Sequence, residues 1–331
     1  MVKLVDVARE AGTSVATVSR ALNNNERVDP ALAERVRAAA AKLGYRPNFV
    51  ARNLRRQSTK LWLLIISDIE IAFFTSVARG VEDTALKHGY AVVLCNADED
   101  DHKEARYVDL AVAEQAAGVI ISPHSDHTHI ERLIDAGIPV VLIDRGLDEP
   151  VDSVTADSRG GAQAATEHLL QQGWERPACI TGPQSAQTAV QRRLGYEDAL
   201  KSASIKTRRV VHRPFTIEGG RTATAGLLDR NRPPDSLFVA NAALTLGVLQ
   251  ELQTRGLRPG TDIGLVCFDD APWAPFIDPP ISVVSQPAYR MGTQAAGLLV
   301  ERISGGRDAP PRRIVLGTDL IVRSSSLHPA R

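Results

Sequence analysis

The chain opens on apolar positions at helical spacing. Leu4, Val7, Ala8 and Ala11 fall at i, i+3, i+4 and i+7, and the stripe stops at Gly12, a residue that accepts the positive φ of a helix end. Ser14 is suited to cap a second helix running from Val15 to Leu22, which Asn23-Asn24-Asn25 ends. Asp29-Pro30 starts a third, because proline is tolerated in a first helical turn, and Gly44 closes it. Two short helices joined by a turn of about three residues have the geometry of a DNA-reading helix-turn-helix.

From Leu61 the pattern changes to short, nearly continuous apolar runs rich in β-branched residues. Strands are predicted over 61–67, 91–95, 118–122, 139–143, 178–182, 236–240 and 263–268. Helices are predicted between and after them over 73–88, 102–115, 158–172, 188–202, 217–229, 244–255 and 290–303. Unalternating strands linked by crossover helices imply parallel sheets covered on both faces, and the length suits two such sheets side by side. The fold class expected is therefore α/β, with an all-α headpiece followed by two Rossmann-like lobes. Ligands in such sheets bind at the carboxyl ends of the strands.

Charge sharpens this division. The formal net charge is zero, yet residues 1–60 carry twelve Lys or Arg against five Asp or Glu, a local +7 that leaves −7 for the remainder. A basic head on an acidic body is the footprint of a polyanion-binding unit. Cys95, Cys179 and Cys267 lie far apart within apolar runs, which suits buried free thiols and a reducing cytoplasm. No signal-peptide pattern and no apolar stretch of about eighteen residues occurs, so a cytoplasmic protein without membrane contact is expected.

The run Leu4-Val5-Asp6-Val7-Ala8-Arg9-Glu10-Ala11-Gly12-Thr13-Ser14-Val15-Ala16-Thr17-Val18-Ser19-Arg20-Ala21-Leu22-Asn23 closely resembles the headpiece of the LacI/GalR family of transcriptional regulators. The resemblance extends over the chain as headpiece (1–46), hinge helix and linker (47–60) and a two-lobed, periplasmic-binding-protein-like domain for ligand sensing and dimerisation (61–331). Ser14, Thr17 and Ser19 offer hydroxyls beside a helix N-terminus, which suit phosphates and set register without reading sequence. Val15, Ala16 and Arg20 share the outward face of the second helix. Arg20 can grip a guanine edge with two hydrogen bonds, while Val15 and Ala16 offer methyl contacts to thymine. Asn23 completes the candidate set on the headpiece.

The stretch Pro47-Asn48-Phe49-Val50-Ala51-Arg52-Asn53-Leu54-Arg55-Arg56 matches the family's hinge helix, two copies of which enter the minor groove of the operator. The resemblance makes Leu54 the wedge into a central base step, at a cost of roughly a few kcal/mol that the bent DNA offsets with further contacts. Asn48, Ala51, Arg52 and Arg55 are the accompanying candidates.

Nine scattered residues match the sugar-lining positions of ribose-type members: Phe73, Phe74, Asp144, Arg145, Arg192, Phe215, Asn241, Asp269 and Gln286. They are expected at strand ends or in the loops that follow. Aromatic faces for sugar C–H groups and charged groups for hydroxyls are what a buried polyol requires. The chain departs from the family at two rim positions, with Ile71-Ala72 in place of Asn-Pro and Asn241-Ala242 in place of Asn-Asp. Both losses of polarity point to a less hydroxylated, modified or differently oriented ligand.

The function implied is a sequence-specific transcriptional regulator, foremost a repressor of sugar-utilisation genes, binding a palindromic operator as a homodimer. A small sugar, ribose or a related pentose first, would release it. A nucleoside effector or a co-repressor is the alternative, and a sugar-binding transport module or an enzyme on the same fold is a remote one. No phosphate loop, nucleophile elbow or zinc-protease motif occurs, so neither an enzyme nor a cofactor is expected. His124, His127 and His129 read as a solvated loop rather than a metal site. Asp98-Glu99-Asp100-Asp101 reads as a helix N-terminus or solvated face. No leucine heptads follow Ser324, so a dimer rather than a tetramer is expected.

Overall fold

The computed structural model describes residues 2–22, 28–45, 59–124, 129–305 and 309–328. Asn23 and the hinge candidates Asn48, Ala51, Arg52, Leu54 and Arg55 lie outside them. The chain divides into two compact units, Met1–Ser58 and Thr59–Arg331.

The first unit contains α1 (Leu4–Glu10), α2 (Val15–Leu22) and α3 (Pro30–Lys42). Gly12 takes φ +61° and Gly44 φ +63°, the left-handed values that end α1 and α3. The Asp29 carboxylate accepts from Leu32 N at 3.0 Å and caps α3. Val7, Val18 and Val36, one from each helix, are fully buried together, each burial worth roughly 1.5–3 kcal/mol. Arg35 Nε donates to Ala11 O at 3.1 Å and ties α3 to the end of α1.

The second unit holds two six-stranded sheets. Its elements are β1 (Leu61–Ile66), α4 (Ala72–Lys87), β2 (Ala91–Asn96), α5 (Asp101–Ala113), β3 (Gly118–Ile121), α6 (Ile130–Asp135), β4 (Val140–Ile143) and β5 (Asp152–Ala156). They continue with α7 (Ser158–Gln171), β6 (Pro177–Thr181), α8 (Gln187–Ser202), β7 (Val210–His212), α9 (Ile217–Leu228), β8 (Ser236–Val239), α10 (Ala242–Thr254) and β9 (Gly264–Phe268). The last are β10 (Ser282–Ser285), α11 (Ala288–Ile303), β11 (Arg313–Leu316) and β12 (Asp319–Ile321). The first sheet runs β11-β5-β4-β3-β1-β2, parallel throughout; the second runs β12-β10-β9-β8-β6-β7, parallel except for β12.

The predicted α/β class with two parallel sheets holds. Five strands escape the apolar-run pattern, β5, β7, β10, β11 and β12, each short or bearing polar residues on a sheet edge or beside one. β2 reads as buried in sequence, yet it is an edge strand that leaves Val93 and Leu94 exposed. The chain passes between the sheets after β5, after β10 and after β11, so each lobe is assembled from separate segments.

Helix packing sets the position of the cleft. α4 and α11 cross backbone to backbone: a Cβ on Gly80 would stand 2.3 Å from Tyr289 O, and one on Gly292 2.2 Å from Val77 O. Only glycine permits that approach, and it fixes the start of α4, with its two phenylalanines, over the first sheet. Cys95, Cys179 and Cys267 are buried free thiols. No helix among the described residues is long and apolar enough to cross a membrane.

Candidate DNA face and effector cleft

On the headpiece, α2 turns Val18 and Ala21 into the core and leaves Ser14, Val15, Ala16 and Arg20 exposed, with Thr17 and Ser19 half-exposed. Ser14 Oγ accepts from Thr17 N at 3.1 Å, capping the helix, and lies 2.9 Å from Thr17 Oγ1. The Ser14 hydroxyl thus serves as a helix cap. The outward face combines one long cation with two small apolar side chains.

In the second unit all nine candidate residues line one cleft between the lobes, together with Ile71, Glu99 and Thr188. The space between these residues, open solvent included, is about 340 Å³. The first lobe supplies Phe73 and Phe74 from the opening turn of α4, ring edge to ring face at 5.0 Å, and Asp144-Arg145 from the end of β4. The second supplies Asn241 after β8 and Asp269 after β9, with Gln286 where the chain leaves β10. Arg192 departs from the expected placement at a strand end: it sits inside α8, one turn beyond Thr188.

The polar groups are tightly held. Arg192 Nη1 donates to Ala240 O at 2.6 Å, and its guanidinium stacks 3.8 Å from the Phe268 ring centre. Gln286 Nε2 donates to Asp269 Oδ1 at 2.6 Å. Arg145 Nη1 donates to Glu99 Oε2 at 2.9 Å and to Pro123 O at 3.1 Å, and Nη2 donates to Glu99 Oε1. Arg145 Nε and Gln286 Oε1 are buried without a hydrogen-bond partner among the described residues. Burial of that kind is costly unless a ligand supplies the partner.

Electrostatics separates the three carboxylates. Burial pushes Asp144 up to about 6, against the pull of Arg145 and Arg192. Burial raises Asp269 as well, with Arg192 opposing it. Glu99 goes the other way: burial pushes it up, but the hydrogen bond from His124 and the charge of Arg145 outweigh burial and hold it at about 2. Asp144 and Asp269 also adopt φ of +66° and +77°, left-handed backbone that Asp and Asn accept more readily than other side chains. Each lobe therefore aims one strained, desolvated carboxylate and one guanidinium into the cleft.

Glu99 and Thr188 are residues that sequence reasoning missed. Glu99 was hidden in an acidic run, although it follows the carboxyl end of β2, where a site residue belongs. In that run Asp100 does cap α5, accepting from His102 N at 2.8 Å, as the acidic pattern suggests. The solvated-loop reading needs correction at His124, whose Nδ1 lies 3.2 Å from Glu99 Oε2 and braces the group that orients Arg145. His129 Nε2 stands 3.3 Å from Asp101. His127 lies outside the described residues.

A small helical unit of helix-turn-helix form followed by a two-lobed binding fold defines a class of ligand-responsive DNA-binding proteins. Residues 3–48 match the family described as "Bacterial regulatory proteins, lacI family", and residues 59–322 match "Periplasmic binding proteins and sugar binding domain of LacI family". The chain belongs to the LacI family of bacterial regulatory proteins. The ribose operon repressor of Halalkalibacterium halodurans is 33% identical over 330 residues, 98% of this chain and 97% of that one. A solved complex of the transcriptional regulator CelR with cellobiose is 32% identical with a TM-score of 0.74, covering 98% of this chain and 100% of that one. A lac repressor dimer bound to operator and the anti-inducer ONPF is 26% identical with a TM-score of 0.86, covering 98% and 99%.

Proposed function

We propose that this chain is a homodimeric repressor that reads a pseudo-palindromic operator through α2 and the 47–60 hinge, and that a sugar with a ribose-like ring in the cleft releases it. One observation carries the sensing half of this reading. Three phenyl rings and two carboxylate–guanidinium sets, drawn from separate stretches of chain, face one cleft between two lobes. Similarity to a ribose operon repressor supports ribose as the first ligand to test.

The mechanism follows from the energetics of the cleft. Without a ligand, two desolvated carboxylates share the cleft, and Arg145 Nε, 3.7 Å from Asp144 Oδ2, and Gln286 Oε1 lack hydrogen-bond partners among the described residues. A sugar donates hydroxyls to Asp144 and Asp269, accepts from the guanidinium groups and covers the phenyl faces, so it stabilises the closed arrangement over the open one. Only that difference in affinity moves the equilibrium. The three passages of chain between the lobes, one of them beginning at Gln286, are the elements that carry closure.

On DNA, Arg20 reads a guanine edge and Val15 and Ala16 read thymine methyls. Ser14, Thr17, Ser19 and Asn23 set the register. Leu54 wedges the central step, with Asn48, Ala51, Arg52 and Arg55 around it. The headpiece 1–46, the hinge 47–60 and the sensor 61–331 are the three working parts, acting in the cytoplasm without a cofactor or catalytic step.

The test is operator selection from a random duplex pool, followed by titration of the selected duplex with monosaccharides. A palindrome whose affinity falls tenfold with one sugar, about 1.4 kcal/mol of coupling, supports the reading. Failure to enrich any duplex at low salt, where electrostatic binding is strongest, overturns it.

A further inference from the structure

One hydrogen bond spans the two lobes away from the groups that would hold a sugar. Gln187, the first residue of α8 in the second lobe, accepts through Oε1 from Gly146 N of the first lobe at 2.9 Å. Outside the three passages of chain, no other hydrogen bond and no ion pair joins the lobes among the described residues. The backbone explains how Gly146 comes to face α8. Asp144 takes φ +66° and Arg145 N donates to Ile143 O at 2.7 Å, so the chain turns sharply as it leaves β4. A Cβ on Gly146 would stand 3.4 Å from Gln187 Nε2, so the amide packs directly against the glycine. Neither residue lines the space bounded by the nine effector candidates, although Thr188, the next residue of α8, does.

We infer that Gln187 is a positioning residue for the effector response: by accepting from Gly146 N it holds the lobes together and sets how much effector is needed, without touching the effector. The inference rests on the reading in which a closed, sugar-filled cleft releases the operator. Around this bond the charges work against closure, since Asp144 and Asp269 are both buried carboxylates facing one cleft. The bond joins two neutral groups, so it favours closure whatever the ligand and whatever the carboxylates carry. Opening returns both groups to water, and the net effect is therefore that of one ordinary hydrogen bond, a several-fold bias rather than a lock. Because a ligand's apparent affinity scales with the fraction of protein already able to hold it, such a bias enters every cleft ligand's affinity by the same factor.

Gln187→Met removes the acceptor at nearly the same side-chain length. Gln187→Glu keeps an acceptor at a helix N-terminus, where a negative charge is favourable. Each full-length variant and the parent are titrated calorimetrically with D-ribose and with 2-deoxy-D-ribose, and their binding to the selected operator duplex is measured with and without ribose. Gln187→Met is expected to weaken both sugars threefold to tenfold by one common factor and to raise the ribose concentration for half-release by that factor. Its operator affinity without sugar should be undiminished. Gln187→Glu should stay within twofold of the parent in every measurement. Local damage to the cleft would change the two sugars unequally, and a folding defect would weaken operator and sugar together.

Ribose affinity unchanged within twofold in Gln187→Met, unequal losses for the two sugars, or weakened operator binding overturns the role of Gln187 while leaving the sugar cleft standing. So does a Gln187→Glu protein that behaves as Gln187→Met does. If the parent binds operator and neither sugar, the sugar cleft itself falls, and this inference with it.

Discussion

Asp144→Asn should move stability and ligand affinity in opposite directions. The carboxylate is buried, and burial raises it from an ordinary 3.8 to about 6 despite two nearby guanidinium groups. A folded state that holds the proton more tightly than the unfolded chain loses stability as pH rises between those two values. With about 1.4 kcal/mol per unit, the loss accumulated by pH 7 is about 3 kcal/mol. Asparagine has nearly the same shape, accepts the +66° backbone and carries no charge, so it removes this loss. Urea unfolding of the ligand-free protein should show the variant equal to the parent near pH 4 and about 2–3 kcal/mol more stable at pH 7. Calorimetry with D-ribose should show affinity down tenfold or more, since a charge-assisted hydrogen bond contributes roughly 1.5–3 kcal/mol. An unchanged or lower urea midpoint at pH 7, or undiminished ribose affinity, would refute the reasoning.

Glu99→Gln probes the opposite limb of the pH profile. A carboxylate held at about 2 adds stability above its unfolded value, lost as pH falls from roughly 4 toward 2, so the variant should flatten that acid limb and weaken ribose binding by loosening Arg145. Gly182→Ala should displace the Phe215 ring, whose Cζ stands 2.1 Å from the added Cβ, and cost ribose affinity several-fold with little change in the urea midpoint. Arg20→Ala should cost about 1–3 kcal/mol in operator affinity and relax preference at one base pair in a selection experiment. Leu54→Ala should reduce both operator affinity and the DNA bend seen by energy transfer between end labels, while the salt dependence of binding stays unchanged.

The sequence made the headpiece legible because its stops are local. Gly12, Ser14, Asp29 and Gly44 each set a helix boundary through their own backbone or capping chemistry, and the structure uses all four. Seven strands were legible for a similar reason, as apolar runs, all but the edge strand β2 buried. β5, β7, β10, β11 and β12 were not, because a short strand at a sheet edge or next to one needs no apolar signature and its partner is chosen by the chain's return path. The cleft residues came from resemblance rather than pattern: nothing local to Arg192 or Gln286 says that they face one another. Glu99 shows the limit of charge patterning, since an acidic run has the same appearance whether it meets water or a buried guanidinium.

The placement of Asp144 and Asp269 explains why such a cleft responds to its ligand. Each follows the last residue of a central strand, β4 in one lobe and β9 in the other, and each takes left-handed backbone there, a conformation that costs of order 1 kcal/mol or more. Burial raises the proton affinity of both carboxylates and the charge of Asp269 raises that of Asp144 further, so leaving both charged in an empty cleft is costly. Arg192 faces both and offsets part of that resistance, though burial lowers its own proton affinity. A neutral polyol removes the remaining cost through hydrogen bonds that an apolar molecule cannot make and an anion would oppose. The inner compartment is thus suited to a ligand rich in hydroxyls.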